Sequence, residues 1–100
     1  MAVTTEDLRV LLHGDSDCAV IDLHGELGDT SVAFLRDVVE QLIADPAGAV
    51  RIEIHVDALE RCDAVGTELM VTLERAAARA GRILVLVGAS ARCESTAGAR

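Results

Sequence analysis

The residues best placed to do chemistry stand in one short polar break, Arg61-Cys62-Asp63-Ala64-Val65-Gly66-Thr67, between a strand-like run and a stretch of helical period. A turn at such a place aims side chains and the unpaired amides of a helix start toward whatever approaches. Asp63 brings a carboxylate and Thr67 a hydroxyl, whereas Ala64 and Val65, between Asp63 and Gly66, carry no hydroxyl. A second polar stretch holds His24, Glu26 and Asp29, and Asp57 and Glu60 lead into the break. As an enzyme site this set is thin. No nucleophile elbow with an ordered Ser, His and Asp is present, nor a glycine-rich phosphate loop, nor a His-x-x-x-His or His-Glu-x-x-His pair. His24 with two carboxylates has the residue types of a metal site, but an edge histidine among solvated acids is more often only that. A binding protein without catalytic residue, metal or cofactor is therefore expected.

Cys18, Cys62 and Cys93 form an odd, widely spaced set without a Cys-x-x-Cys pair, which signals neither zinc nor a disulfide framework. Reduced thiols packed as small apolar groups are expected. Cys62 alone carries a redox alternative, because a helix start beside it would lower its pKa.

Composition narrows the class of partner. The chain has 100 residues, enough for one small core, and 51% of them are hydrophobic while 1% are aromatic, so that core is built from Leu, Val, Ile and Ala. A formal charge of −8 argues against a phosphate backbone as partner, and the single aromatic residue, Phe34, gives no platform for stacking bases. An acidic surface suits a protein partner. No apolar run approaches the roughly 18 residues of a membrane span, and the first residues lack a basic then apolar leader, so no direct membrane insertion and a cytoplasmic location are expected.

The elements that must position the break follow from periodicity. Leu8 to Leu12 predicts a strand, although Thr4 with Asp7 three residues on also has the form of a helix cap, and Gly14 that of its stop. Gly14-Asp15-Ser16-Asp17 is a turn by composition, and Cys18 to His24 a second strand, so the two read as a hairpin. Asp29, Thr30 and Ser31 are good N-cap residues ahead of Phe34, Leu35, Val38, Val39, Leu42 and Ile43, which recur at helical spacing until Asp45-Pro46-Ala47-Gly48 ends the helix. Val50, Ile52, Ile54 and Val56 alternate with Arg51, Glu53, His55 and Asp57, the period of a strand with one buried face. Beyond the break, Leu69, Met70, Leu73, Ala76, Ala77 and Ala80 mark a second helix that Gly81 stops. Ile83 to Val87 is an uninterrupted apolar run, expected as a strand buried on both faces. Such alternation implies parallel strands with right-handed crossovers. In such sheets the loops at strand C-terminal ends share an edge, which brings His24, Glu26 and Asp29 to the same side as Asp57, Glu60, Asp63 and Thr67.

Two segments resemble a known family. Cys18 through Leu27, ending Asp-Leu-His-Gly-Glu-Leu, is similar to the strand and Gly-Glu-Leu-Asp turn of STAS domains, the family of bacterial anti-sigma factor antagonists. Val50 through Leu59, then Asp63-Ala64-Val65-Gly66, resembles their third strand and Asp-Ser-Ser-Gly turn, and Thr67 to Gly81 the helix that follows. The resemblance spans about residues 8 to 90. It implies an α/β fold, a mixed sheet of four strands with at least two flanking helices, as one domain over 1–90, with 91–100 a short polar tail in place of the family's last helix. It also implies a role in partner switching in transcription regulation. In the family an unphosphorylated antagonist binds an anti-sigma factor of serine-kinase fold, and phosphorylation of the first serine of Asp-Ser-Ser-Gly dissolves that pair, because a phosphate adds nearly two negative charges inside the contact.

Three departures shape the expectation for this chain. Ala64 stands where the phosphorylated serine would be, so no phosphoacceptor is expected there, and Thr67, as the nearest hydroxyl, is either a displaced acceptor or a lining of the first helical turn. Gly28 replaces the aspartate of Gly-Glu-Leu-Asp, with Asp29 one residue later able to stand in for it. The terminal helix is shortened or absent, which leaves a homodimer open. The expected partner-binding residues are Glu26, Asp29, Asp63, Ala64, Gly66 and Thr67. The leading expectation is a non-catalytic module that binds an anti-sigma factor or related regulator. The alternative is a subunit permanently docked on a transporter or other complex, and the third a small redox or metal-binding protein.

Overall fold

The computed structural model describes residues 2–4 and 7–88. The chain runs β1 (Ala2–Thr4), β2 (Leu8–Gly14), β3 (Cys18–Leu27), α1 (Val32–Ala44), β4 (Arg51–His55), β5 (Leu59–Cys62), α2 (Ala64–Arg79) and β6 (Ile83–Val87). The strands make one mixed sheet in the order β1-β2-β3-β4-β6, with β5 also paired to β3. β1, β2 and β3 are antiparallel neighbours, while β3 with β4, β3 with β5, and β4 with β6 are parallel. The fold class expected from the sequence is thus the one observed, enlarged by two short strands, β1 and β5.

β3 organises the sheet because it is long enough to host two partners in succession. Its first half, Cys18 to Asp22, pairs with β4, and its last part, Gly25 to Leu27, pairs with β5. The register shifts between Gly25 and Glu26. Gly25 stands at φ +105°, and a Cβ there would lie 2.3 Å from the Asp7 carbonyl oxygen, so the shift needs glycine. At the other end of the β2–β3 hairpin, Asp15 Oδ1 accepts the amides of Asp17 at 2.9 Å and Cys18 at 3.0 Å. These N–H groups hold its carboxyl below its ordinary value of 3.8, the Cys18 bond contributing most.

Both helices cover one face of the sheet. The core joins Val10, Ile21, Leu23, Ile52 and Ile54 from the strands, and Val56 just after β4, to Leu35, Val39, Met70, Leu73 and Ala77 from the helices, all fully buried and none aromatic. Phe34 packs against this cluster from its rim. Removing such aliphatic side chains from water contributes about 1.5–3 kcal/mol each, which is how a chain without Trp or Tyr still folds. The end of α1 is held by a contact the periodicity did not announce. Arg82, just before β6, donates Nε to the Ile43 carbonyl at 3.1 Å, Nη1 to the Ala49 carbonyl at 2.6 Å, and Nη2 to the Asp45 carbonyl. One guanidinium fork thereby ties the last turn of α1, at Ile43, to the loop carbonyls of Asp45 and Ala49 that follow it.

Three details of the sequence expectation are corrected. Val50 lies outside β4 and is 58% exposed, because the strand begins only at Arg51; Ile52, Ile54 and Val56 keep the expected buried face. β6 is not buried on both faces: Ile83 is 53% exposed and Leu84 alone of its residues is buried, since among the described residues β6 ends the sheet order and the helices cover one side. Ala80 is an exposed C-cap rather than a core position. The expected tail and the shortened terminal helix lie outside the described residues. Among the described residues, no helix is long and apolar enough to cross a membrane.

Candidate functional site

The polar break folds as β5 running straight into α2. Asp63 N–H donates to the Leu27 carbonyl at 3.1 Å, which pins the break to the end of β3. Asp63 is the N-cap of α2, with extended backbone, and its Oδ1 accepts the Gly66 amide at 3.0 Å. Its carbonyl accepts both the amide and the hydroxyl of Thr67, at 3.0 and 3.1 Å. Gly66 is buried where the first turn of α2 meets β3: a Cβ would sit 3.0 Å from Leu27 Cγ and 3.1 Å from Cys62 Sγ. Glycine there lets the helix start approach the sheet closely, which fixes where Asp63, Ala64 and Val65 point.

Those three residues are exposed, Val65 to 43%. Thr67 is 1% exposed, and its hydroxyl donates to the Asp63 carbonyl within the first turn of α2. Asp63 is both a cap and a surface acid, because only one carboxylate oxygen takes the Gly66 amide.

The neighbouring turn after β3 completes a cleft. Asp7, Glu26, Leu27, Gly28, Asp29, Thr30, Arg61 and Asp63 line a hollow of about 190 Å³. The sequence-predicted residues Glu26, Asp29 and Asp63 are thus brought together. Ala64 and Gly66 lie beyond the lining, one exposed at the helix start and one buried beneath it. Asp7 and Thr30 were missed. Asp7 arrives because β2 runs antiparallel to β3: the Glu26 amide donates to the Asp7 carbonyl at 2.8 Å, and Thr30 Oγ1 donates to Asp7 Oδ2 at 2.9 Å. No local motif marks that pairing; the hairpin register does. His24 and Glu60, expected at the same edge, line a separate hollow with Thr4 and Arg9 instead. Asp57 lies against Gly88.

Ser31, the N-cap position of α1, spends its hydroxyl inside the turn. Its Oγ accepts the Gly28 amide at 3.1 Å and donates to the Glu26 carbonyl at 3.1 Å, so it shapes the loop that carries Glu26 and Asp29. Gly28 makes room for Asp63: a Cβ there would lie 2.9 Å from Asp63 Oδ2. Among the described residues, the cleft therefore sets four carboxylates, of Asp7, Glu26, Asp29 and Asp63, around one guanidinium, Arg61. Such a surface attracts basic groups and repels phosphate.

A second charged array lies on the sheet face away from the helices. His13 Nε2 is 2.7 Å from Asp22 Oδ2, His55 Nδ1 is 3.7 Å from Asp22 Oδ1, and Glu53 takes His55 Nε2 at 3.1 Å and Arg51 Nε at 2.9 Å. The Arg51 bond, then that of His55, holds the Glu53 carboxyl below its ordinary 4.5. Among the described residues no group of three or more His, Cys, Asp or Glu side chains is arranged to hold a metal. Cys18 beside this array is a free thiol, pushed up from 9.0 by desolvation and then by the charge of Glu53. Cys62 is disulfide-bonded, which corrects the expectation of three reduced thiols. Spacing in sequence did not reveal it, because a bridge depends on Cα proximity in the fold.

The family model described as "Mlab, STAS domain" matches residues 10–98, and the chain belongs to the STAS domain family. No curated protein matches the sequence. Among solved structures, an anti-sigma factor antagonist from Mycobacterium paratuberculosis is similar at 16% identity and a TM-score of 0.74, with 97% of this chain and 83% of that one covered. The anti-sigma factor antagonist SpoIIAA in its unphosphorylated form is similar at 22% identity and a TM-score of 0.72, covering 86% and 75%. The Bacillus cell fate determinant SpoIIAA in its phosphorylated form is similar at 22% identity and a TM-score of 0.74, covering 87% and 78%. At these identities the likeness is one of fold.

Proposed function

We propose that this chain is a non-catalytic STAS module that acts in partner switching by docking the start of α2 on an anti-sigma factor or other regulator of serine-kinase fold. The observation that carries this reading is the exposed Asp63-Ala64-Val65 corner beside the acidic cleft, held in place by the Asp63 cap and the close approach of Gly66. A methyl group at Ala64 replaces the hydroxyl a switch needs, so the contact stays in its unphosphorylated form. The four carboxylates favour a partner surface that carries Lys or Arg. Thr67, buried and hydrogen-bonded, is no acceptor in this reading. Calorimetric titration of the full chain against cognate kinase-fold anti-sigma factors tests it; the expected result is a one-to-one complex that ATP does not dissolve, and absence of any complex with that set counts against it.

The same missing hydroxyl supports a second reading, a subunit lastingly docked on a transporter or other complex through the Ala64 and Val65 corner. Co-purification with membrane ATPase subunits, and none with an anti-sigma factor, distinguishes it.

A further inference from the structure

Among the described residues the sheet ends at β6, an edge whose chemistry matches itself. Among the described residues β6 pairs with β4 alone. Ile83 N–H donates to the Val50 carbonyl at 2.8 Å, and the Val87 carbonyl accepts the Val56 amide at 2.9 Å. Ile83, Val85 and Val87 thus direct their main-chain groups at β4, and by the alternation of a strand Leu84 and Leu86 direct theirs outward. Edges are ordinarily protected by charge, proline or a bulge. The run Ile83-Leu-Val-Leu-Val87 has no charge and no proline, its ladder with β4 is regular, and Ile83 is 53% exposed.

We propose that β6 pairs with β6 of a second copy of this chain, antiparallel, across a two-fold axis at Val85. This register sets Leu84 of each copy opposite Leu86 of the other, and both residues have outward N–H and C=O groups, so each such pair exchanges its bonds. A slip of one residue opposes outward groups to inward ones. A slip of two sets an outward leucine against Arg82 or Gly88, outside the strand. In the matched register Val85 meets Val85 and Ile83 meets Val87 on the open face, pairs of β-branched side chains that suit a sheet. No like charges are opposed along the strand, although each copy carries −8 overall. One five-residue edge buries less than the roughly 1,200–2,000 Å² of a stable interface, so the dimer is reversible and concentration-dependent.

Analytical ultracentrifugation of the full chain, 10.5 kDa as a monomer, from low micromolar to about 1 mM, is the test. Val85→Lys and Val85→Glu each place like charges at the axis. The expected result is a parent dimer, each variant weakened at least about tenfold, and recovery when the two variants are mixed. Ile83→Glu, at a more exposed position, serves where a Val85 variant fails to fold by circular dichroism, and it should weaken the dimer similarly. Amide exchange at Leu84 and Leu86 should slow as concentration rises. A parent that stays monomeric, variants that dimerise like the parent, mixing without recovery, or Leu84 and Leu86 amides protected at every dilution by the chain's own residues would each overturn the proposal.

Discussion

Asp63→Ala and Asp63→Asn should part company in two assays. The carboxylate accepts the Gly66 amide at 3.0 Å, and Ala leaves that donor without its partner at a helix start that is packed onto β3. Loss of such a cap costs about 1 kcal/mol, within a range of roughly 0.5–2. For a domain of this size each kcal/mol lowers the melting temperature by about 4–8 °C. Asn keeps an oxygen in the same place and caps as well as Asp, so its structural cost comes only from lost charge at the positive helix end, about 0.3–1 kcal/mol. Relief of repulsion from Glu26, Asp29 and Asp7 around the same cleft works in the opposite direction. Asp63→Asn should therefore melt within a few degrees of the parent and Asp63→Ala clearly below it. In titration against a kinase-fold regulator, both should weaken the complex to a similar degree, because both remove the outward charge. Ala melting like the parent would refute the cap, and Asn binding like the parent would refute the partner-facing acid.

Ile54→Asp should unfold the domain, with a cost of about 4 kcal/mol or more for a charge without a partner in the core, whereas Val50→Asp, at an exposed position, should stay within about 0.5 kcal/mol; urea unfolding checks both. Arg82→Met should cost about 1–3 kcal/mol by losing its bonds to the Ile43, Asp45 and Ala49 carbonyls, and Arg82→Lys should recover little, since a point charge cannot span all of them. The parent incubated with a partner kinase and ATP should show no phosphate by mass spectrometry, while Ala64→Ser should gain one; phosphate on Thr67 in the parent would mean that the first turn of α2 opens. Asp15 and Glu53 both have folded pKa values below their ordinary 3.8 and 4.5, so the stability they contribute is present above those values and lost as pH falls through the lowered ones. Melting temperatures should decline below about pH 4.5, and less steeply in Asp15→Asn and Glu53→Gln.

Periodicity carried the sequence reading wherever an element was long enough to show a period. Thirteen residues of α1 and sixteen of α2 do, and so do the alternating Ile52, Ile54 and Val56. β1 and β5, with three and four residues, do not. In β5 the charged pair Glu60 and Arg61 stands between the buried Leu59 and Cys62, so the strand exists only because the far end of β3 offers it a partner. Val50 and Ile83 look buried by type but fall where the sheet ends, and a position in the sheet order is no local property. The same limit hid Asp7 and Arg82. Each acts on residues brought near by strand pairing or by the helix crossover, 23 residues away for Asp7 and Thr30 and as many as 39 for Arg82 and Ile43. The cap and the corner at Asp63, in contrast, were legible because capping chemistry is local.

Two departures from the family pattern, Gly28 and Ala64, have a common physical setting. An aspartate at position 28 would begin with a Cβ 2.9 Å from Asp63 Oδ2, and would push a fifth carboxylate into a cleft that already holds four. Asp29 carries that charge from one residue further along the turn, where it lines the cleft without displacing the cap. A phosphate on residue 64 would in turn bring about two more negative charges to a corner where, among the described residues, Arg61 alone lines the cleft as a cation. The arrangement suits a cleft whose acidity is permanent and whose cap is undisturbed. It makes a sharper demand than Ala64→Ser alone: Gly28→Asp should lower stability by crowding Asp63, and adding Asp63→Ala to it should cost less than the sum of the two single changes, because the crowded group is then absent.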